Sequence, residues 1–84
     1  APDAPEIDPD GGTFGAQTDI TITVPENCKV YYTWDSSDPS AASTEYTAPI
    51  PVPEGNNVLS VIAIDQNTGK CSDIYRSRFE FYMN

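Results

Sequence analysis

Apolar and polar residues alternate with a period of two along most of this chain, and that pattern fits few folds. From Thr18 to Val24 the run Thr-Asp-Ile-Thr-Ile-Thr-Val sets Ile20, Ile22 and Val24 on one face and polar residues on the other, which is the signature of a half-buried β-strand. Cys28 to Trp34 repeats it, with Val30, Tyr32 and Trp34 opposite Tyr31 and Thr33. A third run sets Tyr75, Ser77, Phe79, Phe81 and Met83 against Arg76, Arg78, Glu80 and Tyr82. Val58 to Ile64 is apolar on nearly both faces and reads as a central strand. No window offers a capped amphipathic helix. The expectation is an all-β chain of six to eight short strands, spaced as in an antiparallel β-sandwich of about seven strands.

Turn formers punctuate these runs. Pro25-Glu26-Asn27 breaks the first, and Asp35-Ser36-Ser37-Asp38-Pro39-Ser40 ends the second, because Asp and Ser satisfy nearby backbone groups and proline fixes φ. A loop to about Ser43 leads to a short strand around Tyr46, and Asn67-Thr68-Gly69 is a hairpin turn signal. Pro49, Pro51 and Pro53 occupy alternate positions, so all three remove donors from one edge while Ile50 and Val52 keep theirs on the other. That describes an edge strand protected against further pairing. Residues 1–4 read as linker and 5–84 as one domain, with Ile7 the buried residue of an extended, proline-rich lead-in.

Composition narrows the chemistry. A chain of 84 residues holds one small domain, and at this size only about 60–65% of the unfolded surface is buried. Thirteen Asp and Glu against four Lys and Arg give a formal charge of −9, which repels nucleic acid and anionic membranes. The longest apolar run, Val61-Ile62-Ala63-Ile64, is far short of the roughly 20 residues that cross a bilayer. The sequence starts at Ala1 and its one methionine is Met83, so it reads as an excerpt of a longer protein. Without histidine, Ser-His-Asp and Cys-His catalysis and His-containing zinc sites are impossible. Two cysteines, Cys28 and Cys71, are too few for a structural zinc and too far apart for a Cys-x-x-Cys motif. They leave a disulfide or two separate thiols.

Asp35 and Asp38 with Ser36 and Ser37 offer fewer oxygens than the six to eight that calcium takes, and the same residues make an ordinary turn. Aromatic rings can stack on the C–H face of a sugar. Of the candidates, Tyr32 and Trp34 share the face of Val30 and read as core, Tyr46 reads as packing, and Tyr31 and Tyr82 are the best exposed choices for a glycan contact. No cofactor or metal is expected.

The stretch Asp8-Pro9-Asp10-Gly11-Gly12-Thr13-Phe14, with Ile20-Thr21-Ile22, Val30-Tyr31-Tyr32-Thr33-Trp34-Asp35, Asp38-Pro39-Ser40, Tyr46-Thr47-Ala48-Pro49-Ile50 and Val61-Ile62-Ala63-Ile64-Asp65, resembles the chitobiase/beta-hexosaminidase C-terminal type domain. The fibronectin type III-associated domain of bacterial multidomain proteins is similar. The resemblance implies an immunoglobulin-like, fibronectin type III-like sandwich appended to secreted or cell-envelope proteins, where it is not the catalytic domain; it implies no catalytic residues. The family usually carries Asp-Gly where this chain has Asp35-Ser36. In an immunoglobulin-like order the loops holding Cys28 and Cys71 lie at one end of the sandwich, so a bridge between them is expected, stabilising by about 4 kcal/mol on the chain-entropy model. The functional expectation is a monomeric, extracellular accessory module that spaces or docks on neighbouring domains of its parent chain. The alternative is a carbohydrate-binding module of a glycan-active enzyme.

Overall fold

A computed structural model describes residues 1–83. The strands in chain order are β1 (Glu6–Asp8), β2 (Gly12–Phe14), β3 (Asp19–Thr23), β4 (Cys28–Thr33), β5 (Thr44–Glu45), β6 (Ile50–Pro51), β7 (Gly55–Asp65) and β8 (Tyr75–Phe81). They form a three-stranded sheet, β1-β3-β6, and a five-stranded sheet, β2-β8-β7-β4-β5. This is an immunoglobulin-like β-sandwich without helix among the described residues.

The period-two runs fold as their pattern dictates. In β3, Ile20 and Ile22 are buried between exposed neighbours. Val24 lies beyond the strand end, ahead of Pro25, and is 42% exposed. β7 is central, between β4 and β8. Its Leu59, Val61 and Ala63 join the core with Val30, Phe79 and Phe81, while Ile62, on the opposite face, is also buried. Each of these side chains larger than alanine contributes about 1.5–3 kcal/mol by leaving water. The proline-rich segment is an edge, as its spacing predicts. Ile50 pairs with Ile20, Val52 N–H donates to the Thr18 carbonyl at 2.9 Å, and β6 has no other neighbour. Where β6 stops, the Tyr46 hydroxyl accepts from Ile22 N–H at 3.2 Å, so a core-packed tyrosine continues the edge and ties the sheets together.

The count is eight strands rather than seven, and the larger sheet is mixed rather than wholly antiparallel. After β1 the chain crosses to the other sheet without reversing, so β2 lies parallel to β8, with Gly12 opposite Phe79 and Phe14 opposite Phe81. The crossing is clamped by Asp10. Ser77 Oγ donates to Asp10 Oδ1 at 2.7 Å and the Tyr75 hydroxyl donates to Oδ2 at 2.5 Å. Gly11 follows at φ +76°, where a Cβ would stand 2.8 Å from the Arg78 carbonyl oxygen and 2.9 Å from Ser77 Oγ.

The pairing registers also fix where the chain enters and leaves. β1 begins beside the end of β3, and the residues leading into it line one groove with Tyr75 at the start of β8, whereas β8 ends beside Gly55 and Phe14 at the other pole. The long axis measures 46 Å against 21 and 16 Å across.

Gly11→Ala tests the crossing. The left-handed backbone costs a side-chain-bearing residue about 1–2 kcal/mol and the backbone clash adds a similar amount. Urea denaturation of the variant is expected to show a stability loss of about 2–4 kcal/mol at an unchanged slope.

Candidate functional site

β4 delivers the most chemically varied surface. Its alternation carries Val30 and Tyr32 inward, and the chain continues in the same sense through Trp34, which packs against the core at its rim and stays half-buried. Phe79 meets the indole edge-on, with centroids 5.9 Å apart and planes at 73°. Beside these rings lies an open groove of about 410 Å³, walled by Tyr32 and Trp34, the hydroxyl residues Thr33, Ser43 and Thr44, and the carboxylate of Asp35.

The loop over this groove is internally braced. Ser37 donates from its N–H (3.1 Å) and hydroxyl (2.5 Å) to Asp35 Oδ1, and Thr33 Oγ1 donates to the Ser37 carbonyl at 2.8 Å. Those donors, the Ser37 hydroxyl foremost, hold the Asp35 carboxyl below the usual carboxylate range. Ser40 N–H donates to Ser43 Oγ at 3.0 Å, and Ser43 N–H to the Ser40 carbonyl at 2.9 Å. Arg76 latches the loop from β8, reaching Asp38 Oδ1 at 2.6 Å and the Ser36 carbonyl at 3.4 Å. Ser36 sits at φ +64°, in the left-handed region that glycine adopts without steric cost.

This arrangement bears on the calcium reading. A guanidinium occupies one side of Asp38, Ser37 occupies Asp35, and among the described residues no three His, Cys, Asp or Glu gather to hold a metal. A second groove, about 420 Å³, lies where β1 enters, between Pro5, Ile7, Asp10 and Tyr75. Its hydroxyl and carboxylate are already bonded to each other, and the bond to Asp10 raises the Tyr75 pKa.

Tyr31 and Tyr82 are not brought together. Both belong to the outward face of the larger sheet by register, but Tyr31 lies opposite Ile62 and Tyr82 follows Phe81, which lies opposite Gly55. Their positions are about 25 Å apart along the strands, so they form no row of rings. Tyr82 is 52% exposed.

The expected Cys28–Cys71 bridge is corrected: both thiols are free. The loops do share one end of the sandwich, but Cys28 pairs with Asp65 on the β4 side of β7, and Cys71 pairs with Ile64 on its other flank. Two strand spacings put the Cα atoms about 10 Å apart, beyond the reach of a disulfide. Adjacent β7 partners also send the two side chains to opposite faces.

Sequence reading missed the partners that build the groove. Nothing local links Arg76 to Asp38 or Asp10 to Ser77. The one available signal was the Asp35-Ser36 pair at a position where a left-handed residue is required.

The family model described as the chitobiase/beta-hexosaminidase C-terminal domain matches residues 9–76. No curated protein and no solved structure matches the chain. The match takes in the Asp10 crossing, β3 to β7 and the latched loop, and the chain belongs to that family.

The two thiols are expected to differ in a titration with an aromatic disulfide. Exposed Cys71 reacts at once; Cys28, half-buried against the core with its pKa raised first by burial and then by Asp65, reacts slowly. Denatured, unreduced protein yields both.

Proposed function

We propose that this member of the chitobiase/beta-hexosaminidase C-terminal domain family is a non-catalytic accessory module of a larger exported protein, holding neighbouring domains apart along its long axis. The observation that carries the reading is the in-line path: the chain enters at one pole and leaves at the other of a body 46 Å long. A module whose ends lie together would make a side branch instead. The edges support use as a single copy in a string. β6 is blocked by proline, β5 has two residues, β2 has three, and β1 has three between Pro5 and Pro9, so none of the four edges is a long template for pairing.

The carboxylates support the non-catalytic part. Asp35 and Asp65 both have lowered pKa values, caused chiefly by hydrogen bonds from Ser37 and from the Asn67 backbone respectively. Glycosidic cleavage requires a general acid with a raised pKa facing a second carboxylate across the sugar. A docking contact has a surface to use as well. By register, the outward face of the larger sheet carries the half-buried Tyr31 and Ile64 on β4 and β7, on either side of the buried Ile62.

Single-molecule energy transfer tests the spacer. Dyes are placed at Ala4→Cys and Met83→Cys in a Cys28→Ser, Cys71→Ser background. The expected result is one narrow distance population of about 40 Å, given some eleven strand residues between the poles and the leads at each end. A broad distribution, or a population with the ends close together, overturns the in-line reading.

A further inference from the structure

We propose that the Trp34 groove is a binding site for a short neutral saccharide, with the indole as its platform. The inference rests on this groove alone and stands apart from the spacer reading. Its first support is the rigidity of the platform. Phe79 holds Trp34 edge-on from within, and Tyr32 lies two residues back on the same face, about 7 Å along the strand. An aromatic face carries negative charge density and meets the slightly positive C–H face of a pyranose ring. The groove therefore offers two rings on one wall.

The second support is the polar complement. Ser43 and Thr44 supply hydroxyls, Thr33 has its own hydroxyl proton committed to the Ser37 carbonyl, and Asp35 supplies a carboxylate kept ionised by Ser37. Both Ser37 bonds go to Oδ1, leaving Oδ2 to accept from a ligand hydroxyl. A few fixed polar groups beside apolar rings, in a volume of about 410 Å³, match the general make-up of small-ligand sites. The loop is held in place by Arg76 and its own serine network before any ligand arrives, which lowers the ordering cost of binding.

Charge selects the class of sugar. The lining contains Asp35 and no Lys or Arg, on a chain of net charge −9. Uronic acids, sulfated sugars and phosphates are repelled, and neutral or N-acetylated sugars are not. A peptide fits less well. Strand addition needs a free edge of several residues, and β5 provides Thr44 and Glu45 only.

Trp34 is the sole tryptophan, so its emission reports directly on the groove. The chain is titrated with N,N′-diacetylchitobiose, cellotriose, trigalacturonate and trilysine, and backbone amide shifts locate the response. The proposal expects saturable quenching or enhancement with a neutral sugar at a Kd of about 1 mM. Amide shifts should centre on residues 32–35 and 42–44, and trigalacturonate should give none. Asp35→Asn keeps an acceptor for Ser37 but loses the charge, and is expected to weaken binding by about fivefold or more. Ser43→Arg, which fills the rim without touching Phe79, should abolish it with an unchanged circular dichroism spectrum, while Tyr82→Ala leaves it intact. No saturable response to either neutral sugar up to about 20 mM overturns the proposal. So do shifts that map elsewhere, binding that survives Ser43→Arg, or a response confined to trilysine, which would make the groove a peptide site.

Discussion

The burial of one ring, Phe79, joins the two least regular parts of this molecule to its core. The side chain is wholly removed from solvent on β8. Phe14 stacks beside it at 6.1 Å and 20°, and Trp34 packs against it in a T-shaped pair at 5.9 Å. Phe14 belongs to β2, the strand that arrives after the sheet crossing, and Trp34 opens the loop over the groove. Each aromatic contact adds about 0.5–1.5 kcal/mol beyond burial, and truncating a buried Phe to Ala costs about 3–5 kcal/mol. Against a total stability of about 5–15 kcal/mol, with a chain this small at the lower end, that is most of what holds it folded.

The domain reaches a compact state without a covalent staple. Its accessible surface, 4869 Å², is what a well-packed chain of this mass exposes by the usual scaling. Polar clamps, most of them between residues far apart in sequence, take over some of the role that a disulfide would have had. Asp10 ties the crossing segment to Tyr75 and Ser77, Tyr46 ties the Val30 strand to Ile22, and Ser72 caps Ala63 N–H at 2.9 Å where β7 turns back. Ser60 is the exception: its buried hydroxyl has no partner.

The long strands were legible because burial of one face imposes a strict two-residue period. β3, β4 and β8 carry it, and β7 betrays its central place by being apolar on both faces. The edge nature of β6 was legible from the geometry of three alternate prolines. β2 was hidden, since three residues starting at the second of two glycines show no period, and its parallel pairing depends on Asp10 finding residues 65 and 67 positions away. The cysteines were misread for a related reason. Sharing one end of a sandwich says nothing about which flank of the intervening strand each occupies. The groove was illegible because Trp34 follows the inward alternation, and the loop over its outer half is held partly by the Arg76–Asp38 latch, which joins residues 38 positions apart.

If Phe79 couples the crossing, the core and the groove into one unit without help from a disulfide, the parts cannot melt separately. Equilibrium urea unfolding followed by Trp34 fluorescence and by far-UV circular dichroism, with and without reductant, tests this most directly. The expected result is a single transition, superimposable for both probes and unmoved by reductant. A Trp34 transition at lower urea than the loss of sheet, or a midpoint that falls on reduction, would contradict it.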